Sequence, residues 1–177
     1  MLNSRNLADL RADVRANCET FLAECKKAGL NVLVTQTLRD DEYQATLYKQ
    51  GYAKTAKVSF HGKGLAFDIC KNVKGHEYDD AAFFTKCAAI GRKIGFSWGG
   101  DWKSFPDRPH FQWDDGGKVS SANVRAGKLP RTMPAYSAGP DYRAQLKARA
   151  GLTDGTMDYL VGYKFGADLI RKLATMK

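Results

Sequence analysis

Apolar residues near the start of the chain follow helical spacing: Leu7, Leu10, Val14, Cys18, Phe21, Leu22 and Cys25, with Gly29 as a stop. Residues 31–38 are rich in β-branched and apolar side chains and predict a strand. Asp40 can cap a helix carrying Tyr43, Gln44, Leu47 and Tyr48, which Gly51 ends. Residues 52–58 read as a loop, and residues 65–70 as a second strand. Asp79 or Asp80 can cap a helix through Phe83, Phe84, Cys87, Ile90 and Ile94, stopped by Gly95. Residues 96–101 are rich in Gly and Trp, and residues 109–113 predict a short strand. Strands do not alternate regularly with helices, so the pattern is α+β.

The turn at residues 114–117 is the expected end of the core, giving a first part at 1–117 and a second at 118–177. Residues 118–140 hold three of the five prolines and read as a linker or a wrapping arm. Residues 141–150 predict a short helix. Asp154 or Thr156 starts one last helix, with Val161, Phe165, Leu169, Leu173 and Met176 near one face.

A chain of 177 residues can build one well-cored domain with a small appendage. Its apolar runs are too short to span a bilayer. Residues 1–5 lack the apolar core of a signal peptide, so synthesis in a cytoplasm without an export address is expected. The four cysteines form no C-x-x-C pair, which argues against a cysteine zinc site, and they read as reduced, mostly buried thiols. Seven of the nine net positive charges fall in residues 118–177. That bias suits an anionic partner, although solubility alone would also account for it. No helix-turn-helix, zinc-finger or aromatic RNA-binding pattern is present, so nucleic acid is not an expected partner.

The chemistry concentrates in two segments. Ser59-Phe60-His61-Gly62-Lys63-Gly64-Leu65-Ala66-Phe67-Asp68 and Asp107-Arg108-Pro109-His110 contain two of the three histidines and two carboxylates. Two imidazoles and one carboxylate leave an open position on a catalytic zinc, where a structural site would be closed by a fourth protein ligand. His61 and Asp68 are an odd number of positions apart, so they converge only if Gly62 or Gly64 bends the chain. His110 begins a strand and can be a third ligand; Asp107 is then either a base beside the metal or a simple turn residue.

The spacing Ser59-x-His61-x-x-Gly64-x-Ala66-x-Asp68 with Asp107-x-x-His110 resembles the two signatures of the VanY-like and L-alanyl-D-glutamate peptidase family. These are zinc peptidases of the lysostaphin/D-Ala-D-Ala-metallopeptidase/hedgehog fold. Arg39, Gln44 and the segment Leu47-Tyr48-Lys49-Gln50-Gly51 resemble the family's upstream motif, and Trp98-Gly99-Gly100-Asp101-Trp102 its glycine- and tryptophan-rich stretch. The likeness spans residues 30–114 and is strongest to phage endolysins that cut the L-Ala–D-Glu bond of peptidoglycan stem peptides.

The resemblance implies a small antiparallel sheet with flanking helices and one zinc ion, followed by a helical extension. It implies His61, Asp68 and His110 as ligands and Asp107 as general base. Arg39 would stabilise an oxyanion or hold a substrate carboxylate, while Gln44, Ser59, Trp98 and Trp102 would line the substrate groove. Residues 1–117 would be the catalytic domain. Residues 118–177 would bind the wall, reach an anionic wall polymer or outer-membrane surface, or cover the core. A monomeric lysis enzyme acting once the membrane is opened is expected. Alternatives are a D,D-carboxypeptidase with the same metal centre and a non-catalytic wall-binding module.

Overall fold

The computed structural model describes residues 2–52, 56, 59–139, 142–162 and 166–176. They group into two compact units, Met1–Tyr136 and Ser137–Lys177.

In the first unit, a short 3-10 turn at Leu7–Asp9 is capped by the Asn6 side chain, and Leu10 and Arg11 then run extended. Helix α1 (Ala12–Lys27) therefore begins later than the apolar spacing predicts. It buries Val14, Cys18, Phe21 and Cys25. Strand β1 (Val32–Gln36) follows, then α2 (Asp41–Lys49), whose first turn is capped by Asp40 accepting from the Tyr43 amide. Strand β2 (Ala66–Lys71) leads to α3 (Ala81–Ile94), capped by Asp80 and ended by Gly95 at φ 114°. A two-residue strand β3 (Ser97–Trp98), which the sequence pattern did not predict, precedes β4 (His110–Gln112).

The four strands form one antiparallel sheet in the order β1-β2-β4-β3. Alternation along β2 and β4 sends Phe67 and Phe111 to one face and Asp68 and His110 to the other. The first face carries the core. Phe21 of α1 lies 5.4 Å from Phe67 and 5.1 Å from Phe111 by ring centroids, and Phe67 stacks on Phe111 at 5.6 Å. Gly91 lets α3 approach this cluster, since a Cβ there would sit 2.7 Å from the Phe111 ring.

The expected boundary after residue 117 does not coincide with the compact unit, which continues to Tyr136. Residues 118–136 contain helix α4 (Ser121–Arg125), started by a capping box between Ser120 and Asn123. The stretch after it wraps α1. Asp13 accepts the Met133 amide at 2.5 Å, Asn17 bonds the Pro134 carbonyl and the Tyr136 amide, and Arg11 reaches the carbonyls of Pro130 and Arg131. Trp113 Nε1 also donates to the Arg131 carbonyl, and Val124 and Met133 are buried in the core.

The second unit contains α5 (Tyr142–Ala150), α6 (Asp154–Gly162) and α7 (Gly166–Thr175) among its described residues. The single last helix expected from the pattern is thus two. Ile170 is buried with Leu146 and Met157, and Leu173 packs against them. Leu169 and Met176, expected on the inward face, are 39% and 60% exposed. Phe165 lies outside the described residues, as do most of the loop positions 53–58. No helix among the described residues is long and apolar enough to cross a membrane.

Candidate metal centre and its cleft

Asp68 and His110 are directly opposed on β2 and β4, so their side chains leave the sheet together. His61 arrives from a 3-10 turn, His61–Lys63. Gly64 closes that turn at φ 63°, and a Cβ there would sit 2.8 Å from the Arg11 amide nitrogen. The bend needed to bring His61 round to Asp68 therefore requires glycine at this point. A bulge in β1 between Val34 and Gln36 puts Gln36 opposite Asp68, and the next carbonyl, of Thr37, lies 2.8 Å from His61 Nδ1.

Three atoms meet at the centre. His61 Nε2 is 3.2 Å from Asp68 Oδ1 and 3.1 Å from His110 Nδ1, and His110 Nδ1 is 3.1 Å from Asp68 Oδ1. Both imidazoles are buried, and the Asp68 side chain is 18% exposed. A carbonyl only accepts, so His61 Nδ1 carries its proton and Nε2 turns a lone pair inward. His110 Nε2 lies 3.0 Å from Gln112 Oε1, so its outer nitrogen donates and its inner one also presents a lone pair. With both imidazoles neutral, three acceptors thus face one another, an arrangement relieved by a metal cation or by a proton on His110. Ligand atoms on a tetrahedral zinc with bonds of about 2.0–2.1 Å lie about 3.3 Å apart, close to the spacing here. The donor set fits a metal ion held by His61, Asp68 and His110.

Electrostatics agree with that fit. Burial pushes the His61 imidazole below its ordinary range, which keeps it neutral as a ligand must be. Burial alone would raise Asp68, but the two facing imidazoles outweigh it and hold the carboxyl well below the usual range. Burial would lower His110 too, but its hydrogen bond to Asp68 and the charges of Asp68 and Asp107 raise it instead. A proton at His110 therefore competes with a metal.

The centre opens into a cleft of about 560 Å³ lined by Arg39, Gln44, Ser59, Trp102 and Asp107, among others. Burial raises the Asp107 carboxyl above its ordinary value. Its backbone is seated on Gly99: the Asp107 amide donates to the Gly99 carbonyl at 2.9 Å, and a Cβ on Gly99 would lie 2.5 Å from the Asp107 carbonyl oxygen. Arg39 donates to Gln36 Oε1, whose amide nitrogen donates to Asn3 Oδ1 at 2.5 Å. Among the described residues, the buried Arg39 Nε has no hydrogen-bond partner, and neither has the Ser59 hydroxyl. Both are polar groups left for something the cleft binds.

The sequence profile of the peptidase M15 family described as D-alanyl-D-alanine carboxypeptidase matches residues 53–113. The peptidoglycan L-alanyl-D-glutamate endopeptidase CwlK of Bacillus subtilis (strain 168) is 32% identical over 123 residues, covering 59% of this chain and 74% of that protein. The chain belongs to the M15 peptidase family. A second relative, the L-alanyl-D-glutamate peptidase of Listeria phage A118, is 34% identical over 63% of this chain and 41% of its own length. Among solved structures, the Serratia marcescens L-Ala D-Glu endopeptidase ChiX shares the fold, with a TM-score of 0.54 and 23% identity over 67% of this chain and 93% of its own.

As an M15 metallopeptidase, the chain carries its cleft on the sheet face opposite the aromatic core. Asp68, His110, Asp107, Arg39, Gln44, Ser59 and Trp102 all line that cleft, and the buried His61 meets Asp68 and His110 at its metal-binding triangle. Gln44 is 2% exposed, not a solvent-facing helix position. The Trp102 ring lies 5.0 Å from that of His110. Trp98 does not line the cleft: its indole donates to the Arg108 carbonyl and Arg92 stacks over it at 5.2 Å. Sequence reasoning missed Gln36 and Asn3 behind Arg39, Gly99 beneath Asp107, and Gln112 and Asp114 behind His110. Gln112 was the most findable, since two positions after His110 on a strand means the same face.

Proposed function

We propose that the chain is a zinc-dependent peptidoglycan endopeptidase that cuts the L-Ala–D-Glu bond of stem peptides, and that it serves as a phage lysis enzyme. The observation that carries the reading is the acceptor triangle of His61, Asp68 and His110 opening into the same cleft as Asp107 and Arg39. CwlK and the Listeria phage enzyme, both named for that bond, support the choice of substrate. A zinc ion held there would polarise the scissile carbonyl and acidify a water molecule.

The protein's own groups do the rest. The Asp107 carboxylate takes a proton from the attacking water and returns it to the leaving amine, a task helped by burial that brings its proton affinity nearer to neutral. Arg39, whose Nε has no partner among the described residues, holds the oxyanion or a substrate carboxylate. Gln44 and Ser59 orient the peptide, and Trp102 walls the cleft beside His110. The basic residues of 118–177 draw the enzyme to an anionic wall polymer or outer-membrane surface, and the enzyme acts as a monomer.

The test is digestion of purified peptidoglycan by the zinc-loaded protein, with mass spectrometry of the new ends and Asp107→Ala as control. New N-terminal D-Glu that the control lacks is the expected result. Released D-Ala would instead give the carboxypeptidase named by the family profile. Zinc bound without any cleavage would leave a wall-binding module.

A further inference from the structure

Behind His110 runs a chain of side-chain hydrogen bonds. Gln112 Oε1 lies 3.0 Å from His110 Nε2, and Gln112 Nε2 donates to Asp114 Oδ2 at 2.9 Å. The other oxygen, Asp114 Oδ1, accepts from the Ser97 hydroxyl at 2.7 Å and from the Gly117 amide at 2.8 Å. Gln112 and Asp114 are 7% and 6% exposed, so water does not substitute freely for these partners.

The direction of each bond follows from the far end. A carboxylate can only accept, so the Gln112 amide must turn its NH2 towards Asp114 and its oxygen towards His110. An oxygen facing His110 Nε2 demands a hydrogen there, which leaves Nδ1 bare towards Asp68 and His61. We propose that Asp114, acting through the Gln112 amide, is the positioning residue that sets the tautomer of His110 and thereby the metal affinity of the centre. The inference rests on the metal-site reading above and concerns what holds that site ready. His61 needs no such chain, because its outer nitrogen faces a backbone carbonyl.

The polarity of the chain can be inverted without changing its shape. In Asp114→Asn, the new amide keeps its oxygen on Ser97 and Gly117 and points NH2 at Gln112. Gln112 then flips, offers NH2 to His110 Nε2, and drives the imidazole proton to Nδ1, where the metal should bind. Every hydrogen bond is satisfied, so the fold is spared and the metal is not. Adding Gln112→Glu restores an acceptor to both neighbours, and the proton returns to Nε2.

Zinc affinity, read by competition with a chromophoric chelator, and the unfolding midpoint in EDTA test this together. Asp114→Asn should weaken zinc binding about 10- to 100-fold, the usual range for loss of a group that orients a ligand. Its midpoint in EDTA should stay at the wild-type value. The double variant Gln112→Glu/Asp114→Asn should recover wild-type affinity. Ser97→Ala, which leaves the amide direction alone, should bind zinc as the wild type does. An Asp114→Asn protein with unaltered affinity would overturn the inference, as would a double variant weaker than the single. If the wild-type chain bound no zinc at all, the metal-site reading would fall and this inference with it.

Discussion

In the unit Met1–Tyr136 one continuous cluster of aromatic and aliphatic side chains joins α1, α3 and the sheet, whereas in Ser137–Lys177 the buried hydrophobic side chains among the described residues are Leu146, Met157 and Ile170. The first unit spends one face of its sheet on that core and keeps the other for chemistry. Among its described residues the second has no comparable surplus of burial, and three short helices with three inward anchors sit near the lower limit for a stable unit. Rigidity is thus placed where the three atoms that could hold a metal meet.

The largest contrast should appear on substituting the cleft. Asp107→Ala is expected to lower turnover by about 10²- to 10⁴-fold, the usual yield of a general base, while zinc content by metal analysis stays unchanged. No change in the second unit should approach that loss. A pair of truncations sharpens the boundary. A chain ending at Tyr136 should fold and bind zinc, as judged by circular dichroism and chelator competition. A chain ending at Gly117 loses the buried Val124 and Met133, takes the Met133 amide from Asp13, and takes the Pro134 carbonyl and Tyr136 amide from Asn17. It should fail to give a cooperative melt; equal melts for both would place the boundary back at 117.

Within the first unit, Gly91→Ala drives a methyl into the Phe111 ring and should cost about 1–3 kcal/mol in denaturant melts. Asp13→Ala should cost about 1–3 kcal/mol by leaving the Met133 amide without its acceptor and removing the carboxylate paired with Arg11. Its effect depends on pH. Burial favours the protonated Asp13, but Arg11 and the Met133 amide outweigh it and hold the carboxyl below its ordinary value. A depressed carboxyl stabilises the fold above the unfolded value, and this contribution fades as pH falls through the folded one. The gap between variant and wild type should therefore narrow in acid. In the second unit, Asp158→Ala removes an exposed pair with Arg143 and should shift stability by less than about 1 kcal/mol.

The sheet-side elements were readable because their signals are local. Asp40 and Asp80 cap the helices they were expected to cap, and Gly95 stops α3 with the positive φ that glycine permits. That His61, Asp68 and His110 gather in one place was legible because their spacing resembles the family's motif. What escaped depended on partners far along the chain. Strand β3 is two residues long and exists through its pairing with β4, which no periodicity can announce. Residues 118–140 read as a linker or a wrapping arm, and only the bonds of residues 130–136 to Arg11, Asp13 and Asn17 of α1 and its cap decide for the arm. Along α7 it is Ile170 that faces inward and Leu169 that faces out, against the expected register.

The contact between His61 and the Thr37 carbonyl has an evolutionary consequence. Every amino acid brings a carbonyl, so no substitution at position 37 can delete the acceptor. The protonation pattern of one metal-facing histidine is written in the course of the main chain and is shielded from the genetic code. Drift in this lineage can retune the centre through side chains on the His110 side, while the His61 side changes only when the fold does.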